Sequence, residues 1–150
     1  MSTAVILRDP RTCVSAEVWD REVRLIMRDH KRDRDMAERI FGQAVAYLVV
    51  AGENSDIPMG PTPIVDEGVH SFMLDTPNYF LFCEENNDGR YIHHIPHLPG
   101  EGEEGPLVLN STIKAIRAAG FALDAELWNA QSVDCNQCYA GCHDSPGGKK

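Results

Sequence analysis

Histidine and cysteine, the side chains that bind borderline metal ions, are concentrated in two stretches of this sequence. Four of the six histidines fall between residues 70 and 97: His70, His93, His94 and His97. Asp66 and His70 are four residues apart, so on a helix they share one face. A carboxylate there can hold one imidazole nitrogen and leave the other free as a ligand or base. Cys83 follows one helix later. An extended His93-His94 pair points its rings to opposite faces, so only one of them can line a site with His70. Two such histidines with Cys83 or His97 make a three-ligand set with one open position, the pattern of catalytic metal sites. The competing reading is a polar hydrogen bond from Asp66 and His70 that ties one helix to the His93–His97 segment.

The second stretch is Cys135-x2-Cys138-x3-Cys142-His143, inside the last sixteen residues. Three thiols and an imidazole match the ligand count of a closed tetrahedral zinc site. Cys142 and His143 are neighbours, so a workable version uses the three thiolates and a fourth ligand from elsewhere, such as a histidine of the central cluster. A Cys135–Cys138 redox pair, an iron–sulfur cluster, for which a fourth cysteine is not obvious, and a tail without thiol chemistry are the alternatives. Zinc is the first metal expected where Cys and His mix. Iron or copper is expected if the Asp/His set binds alone. With an open coordination position the core site would activate water or dioxygen, with Asp66, His70 and Tyr79 as candidate catalytic groups and Tyr79 supplying a proton or a hydrogen bond. The alternative is a non-catalytic interaction module whose Cys cluster is a metal- or redox-closed clasp.

The elements that must position these groups are mainly helical. Ser15 can cap a helix over about 16–30, with Val18, Trp19, Val23, Ile26 and Met27 near a 3.6 period. Asp33 or Asp35 can cap a second to about residue 50, with Met36, Ile40, Ala44, Tyr47 and Leu48 as its stripe. Residues 52–63 are a Pro/Gly loop. A third helix is expected over 64–74. Thr76-Pro77 opens a fourth, running to about residue 85. Residues 86–89 are a turn and 90–95 a short extended segment. A fifth helix is expected over 111–119, closed by Gly120, and Asp124 can cap one last turn. The expected fold is a compact bundle of about five helices with at most one short β element. The expected organisation is an N-terminal arm over 1–14, one helical domain over 15–130 with a polar hinge at 98–106, and an irregular Cys-rich tail over 131–150.

The run Val65-Asp66-x3-His70-x-Phe72-x-Leu74-x-Thr76-x2-Tyr79-x2-Phe82-Cys83, followed by Ile92-His93-His94-x-Pro96, resembles the glycine-rich domain-containing protein-like family, in particular its short actinobacterial members. The resemblance extends over most of the chain, from Val18-Trp19-Asp20-Arg21 to the Cys-x2-Cys-x3-Cys tail. The family's usual Asp-x2-Trp-His carries Val69 here in place of tryptophan. The resemblance implies a small helical domain of unassigned biochemical function. It draws attention to Asp66, His70, Tyr79, Cys83, His93, His94 and Pro96 without supplying catalytic roles.

Composition narrows the setting. The chain has 150 residues, 43% hydrophobic and 25% charged, which suits one globular domain. The net charge of −9 argues against a nucleic-acid surface. No run of about 18 apolar residues is present, so no membrane span is expected. The first residues lack a signal-peptide pattern, which predicts a cytoplasmic, reducing setting. Residues 1–39 hold nine of the fourteen Lys/Arg and residues 40–150 hold fifteen of the twenty-three Asp/Glu. An acidic surround favours cations. Arg21, Arg24, Arg28 and Arg32 form a basic ridge. It reads as a dock for an acidic protein or a small phosphorylated molecule, or as a solvated face balanced by neighbouring acids. Oligomeric state is not set by any of these features.

Overall fold

A computed structural model describes residues 7–96, 105–129 and the pair 142–143. Five helices carry most of them: α1 (Ala16–His30), α2 (Arg34–Glu53), α3 (Pro63–Leu74), α4 (Thr76–Asn86) and α5 (Gly105–Ala118). The short β element is a two-residue antiparallel pair, β1 (Ile95–Pro96) with β2 (Cys142–His143). The expected mainly helical bundle is therefore the observed one. No helix among the described residues is long and apolar enough to cross a membrane.

Local chemistry sets the helix starts. The Ser15 side chain accepts the Val18 N–H at 3.1 Å, and the Asp33 side chain accepts the Met36 N–H at 2.8 Å. Each satisfies a backbone donor that the first turn leaves unpaired. α5 begins six residues before the expected start. Proline lacks an N–H and is preset for a helical first turn, so Gly105-Pro106 opens the helix instead of extending the hinge. Burial of Val108 and Leu109 then rewards the extra turn. α2 likewise runs past residue 50 to Glu53, since nothing breaks it before Asn54. The N-terminal arm is less irregular than expected. Pro10–Cys13 form a 3-10 turn, and the Arg8 N–H donates to the Gly120 carbonyl at 2.8 Å.

α2 is the centre of the molecule. Every residue from Ile40 to Ala51 is buried, as befits a helix apolar on all sides. α1, α3 and α5 pack around it. Trp19, Phe41, Phe72 and Tyr79 form a chain of edge-on ring contacts with centroids 5.1, 5.3 and 5.4 Å apart. That chain runs from α1 through α2 and α3 into α4, and it fixes the helices that carry the candidate site.

Gly68 sets the distance between α3 and α2. A Cβ there would lie 2.9 Å from the Ala44 Cβ and 3.1 Å from Ile40 Cγ2. Gly68→Ala gains about 1 kcal/mol of helix propensity. Overpacking costs typically 1–3 kcal/mol, and here the obstacles are stiff neighbours in a buried interface. A net loss of up to about 2 kcal/mol is expected in urea unfolding. An unchanged or raised midpoint would show that the two helices can separate freely.

Candidate metal centre

α3 presents Asp66 and His70 on one face, and Gly68 between them is on the opposite face, against α2. The segment after α4 brings His94 to the same place. One ligand atom from each of the three residues lies within 4.8 Å of the others. Asp66 Oδ1 is 2.9 Å from His94 Nε2, and Asp66 Oδ2 is 3.5 Å from His70 Nδ1. The two imidazole rings meet edge to face, 4.8 Å between centroids.

The bonding within this group is incomplete. The His94 side chain is 3% exposed. Neither of its ring nitrogens has a hydrogen-bond partner among the described residues, and neither has Asp66 Oδ1. The 2.9 Å approach of the last two is close, but it lacks the alignment of a hydrogen bond. Buried polar atoms are normally satisfied, and leaving one unsatisfied costs about 1–3 kcal/mol. Of the three, Asp66 Oδ1 and His94 Nε2 lie 2.9 Å apart without a hydrogen bond between them, the approach expected of two ligands to one cation, while Nδ1 is on the other side of the ring.

His70 closes the group on its outer side and is 44% exposed. Burial lowers its pKa, the Asp66 carboxylate works against that, and the neighbouring His94 and His30 lower it further. The net direction favours the neutral imidazole, whose free lone pair is what a metal needs. His30, at the end of α1, was not singled out by sequence. It stands forty residues from His70, with no spacing rule to connect them. Beside the group, Arg32 holds Glu67 in a two-pronged ion pair, at 3.0 and 2.7 Å. Glu67 is thereby engaged and Asp66 is the acid left for the site.

Of the other candidate residues, Tyr79 is buried and its hydroxyl donates to the Ile92 carbonyl, two residues before His94. That bond to the backbone positions the His94 segment. Cys83 is fully buried in the core and is not part of the group. Its side of α4 packs inward, so helical phase decided against it. His93 is exposed, 6.4 Å from the Tyr91 ring, and lines a separate hollow of about 240 Å³ with Gly52, Asn87 and Ile92. The expected alternation of His93 and His94 is therefore observed, and the structure selects His94. His97, Cys135 and Cys138 lie outside the described residues. Cys142 and His143 are described by their backbone, as β2.

The basic ridge is paired along its length. Arg21 meets Asp75 at 2.8 Å, Arg28 meets Asp29 at 2.7 Å and Arg32 meets Glu67 at 2.7 Å. Arg24 is 3.9 Å from Asp20. Two of these acids come from α3 and the α3–α4 corner, so the ridge also fastens α1 to the helix that carries the site.

Tyr79→Phe removes the hydroxyl that pins the Ile92 carbonyl. The expected loss is about 1–2 kcal/mol of stability, because the carbonyl is left buried. Metal affinity is expected to fall by roughly 10-fold or more, as when outer groups that orient a ligand are removed. Titration of the metal-free variant checks this. Unchanged affinity would mean that His94 is held by its own packing.

No family model, curated protein or solved structure matches the chain. The family resemblance therefore rests on its motif residues alone.

Proposed function

We propose that this protein binds a divalent transition-metal ion through Asp66, His70 and His94. The observation that supports this most is the pair of buried polar atoms, Asp66 Oδ1 and His94 Nε2, that have no hydrogen-bond partner among the described residues, within a group of three ligand-type side chains. Two imidazoles and a carboxylate suit zinc, iron(II) or copper, and carboxylate charge offsets part of the ion's. A bound ion would supply Lewis acidity, and at an open position an activated water. The chain's own part is to hold the donors. α3 spaces Asp66 and His70, the aromatic chain fixes α3 and α4, and Tyr79 secures the backbone leading to His94. The half-exposed His70 marks the side from which a small molecule would approach if the site is catalytic.

The test is elemental analysis of protein purified without chelator, repeated on His70→Ala. About one metal ion per chain in the parent, and its loss in the variant, is the expected result. A metal-free parent that also fails to take up zinc, iron(II) or copper on titration would overturn the reading.

A second reading, a non-catalytic module with a metal- or redox-closed clasp, is favoured by one observation. β2 belongs to the Cys-rich tail, and it pairs with β1 directly after His94.

A further inference from the structure

A hollow of about 640 Å³ opens where the end of α2, one face of α5 and the N-terminal arm meet. None of the residues of the Asp/His group lines it. Its size lies within the range of small-molecule pockets, about 300–1,000 Å³. α5 supplies one wall, with Ser111, Lys114, Ala115 and Ala118 at the spacing of one helix face. Alanine side chains are short, so this wall leaves the space open. Ile57 adds a further apolar group from the segment after α2.

Most polar groups around the hollow are spent on the fold. The Arg8 guanidinium lies 3.1 Å from Glu53, donates to the Ala119 carbonyl at 3.4 Å and sits 4.4 Å from the centre of the Phe121 ring. That ion pair offsets the Glu53 charge. α2 and α5 both end here, and helix C-termini carry a partial negative charge that favours cations. Much of that charge is already answered. The Arg8 backbone N–H donates to the Gly120 carbonyl at 2.8 Å. Asn54 donates to the Ala51 carbonyl at 3.3 Å through its backbone and to the Val50 carbonyl at 2.8 Å through its side chain.

Ser111 and Lys114 remain. Neither side chain has a hydrogen bond or an ion pair among the described residues. They lie three residues apart on α5 and so are neighbours on its surface. An ammonium group only donates, and a hydroxyl beside it can donate to the same acceptor. The hollow therefore combines two free donors and one unbalanced positive charge with an apolar wall. We propose that it binds a small organic carboxylate with an apolar body. The carboxylate accepts from Lys114 and Ser111, and the body lies on Ala115, Ala118 and Ile57. A single negative charge matches the one free cation among these lining residues, whereas a phosphate ester brings about −1.5 to −2. This assignment is independent of the metal-binding reading.

Isothermal titration calorimetry of the full chain with octanoate tests it. One equivalent is expected to bind, more weakly as salt is added, because Lys114 is exposed. Octanol, the same chain without the charge, is expected to bind at least about 10-fold more weakly, the size of a hydrogen bond to a charged group. Lys114→Gln is expected to weaken octanoate by a similar factor, and Lys114→Arg to keep most of the affinity. Ala118→Glu, at an exposed helix position, is expected to abolish binding, because it fills the hollow and adds a like charge. No binding of octanoate to the parent would overturn the proposal. So would octanol binding as tightly as octanoate, which would make the hollow merely apolar. A preference for octylammonium would overturn it by showing that Glu53 and the helix ends govern the site. Octanoate binding that is undiminished in Lys114→Gln would place the ligand elsewhere. Carboxylates also coordinate metal ions, so each titration is repeated with chelator. Binding lost on chelation would assign the carboxylate to a metal and overturn the proposal. Circular dichroism of each variant separates these outcomes from loss of fold.

Discussion

His94→Leu is expected to lose the metal and yet leave the metal-free protein more stable than the parent, by about 1–3 kcal/mol. The reason is the state of the imidazole. It is almost wholly buried, and neither ring nitrogen has a hydrogen-bond partner among the described residues. In the absence of a cation those atoms have lost water and gained no hydrogen bond from the described residues, whereas leucine would occupy the place without polar atoms to satisfy. If Asp66 and His94 were instead a structural ion pair, removing one partner would strand a charge and cost about 3–5 kcal/mol. The two readings thus predict opposite signs for one urea-unfolding measurement in the presence of chelator. Metal should reverse the order. An ion at 100 times its dissociation constant stabilises the parent by about 2.7 kcal/mol, and His94→Leu by nothing. A metal-free variant less stable than the parent would sink the ligand assignment of His94.

The second large effect concerns Glu22, on the buried side of α1. Its side chain is 0% exposed, Arg21 Nε stands 4.0 Å from its Oε2, and neither carboxylate oxygen accepts a hydrogen bond from a donor among the described residues. Its polar neighbour is the Asp75 carboxylate, also an acceptor, so the two can bond only if one of them carries a proton. Burial, then the bond to Asp75 and its charge, push the Glu22 pKa up from 4.5 to about 9, against the pull of Arg21. Burial would raise Asp75 as well, but hydrogen bonds from Glu22, Asn78 and Arg21 outweigh it and bring Asp75 down to about 2. Glu22 holds the proton and donates it.

The sign follows from proton counts. The folded chain keeps a proton on Glu22 up to about pH 9, while the unfolded chain releases it near 4.5. Between those limits the folded state binds more protons, so stability falls as pH rises, by up to about 1.4 kcal/mol per pH unit. Asp75 acts in the acid range: its contribution is present above 3.8 and is lost as pH falls through about 2. Glu22→Gln keeps a donor toward Asp75 and has no proton to lose. It is expected to flatten the alkaline slope and to exceed the parent in stability by several kcal/mol at about pH 9. Urea midpoints measured from about pH 5 to 9 decide the matter. A parent whose midpoint does not fall with pH would show that Glu22 is charged and solvated.

Sequence carried part of the site. The four-residue spacing of Asp66 and His70 is a local signal, because one helical turn converts it into a shared face. The alternation of His93 and His94 is local too, but it says only that one of the pair points inward. Glu22 had a signal that is easily passed over. Residues 19, 22, 23 and 26 form an apolar stripe with one carboxylate in it, and a stripe position is buried whatever occupies it. Cys83 had the right chemistry, but its helical phase turns it into the core.

The helices themselves were determined locally. Ser15 and Asp33 supply caps, and the apolar stripes repeat at helical spacing, so short-range chemistry was enough to define α1 and α2. Pro106 moved the start of α5 for an equally local reason, once burial of Val108 and Leu109 rewarded the extra turn. What only the tertiary structure decided is which distant groups meet. Gly68 lets α3 approach α2, the ring contacts from Trp19 to Tyr79 fix α3 and α4, and Tyr79 anchors Ile92. Those contacts put His94 within 2.9 Å of Asp66. A ligand set depends on distances of a few ångströms between separate elements, and such distances are set by packing, which leaves no periodic trace in the chain.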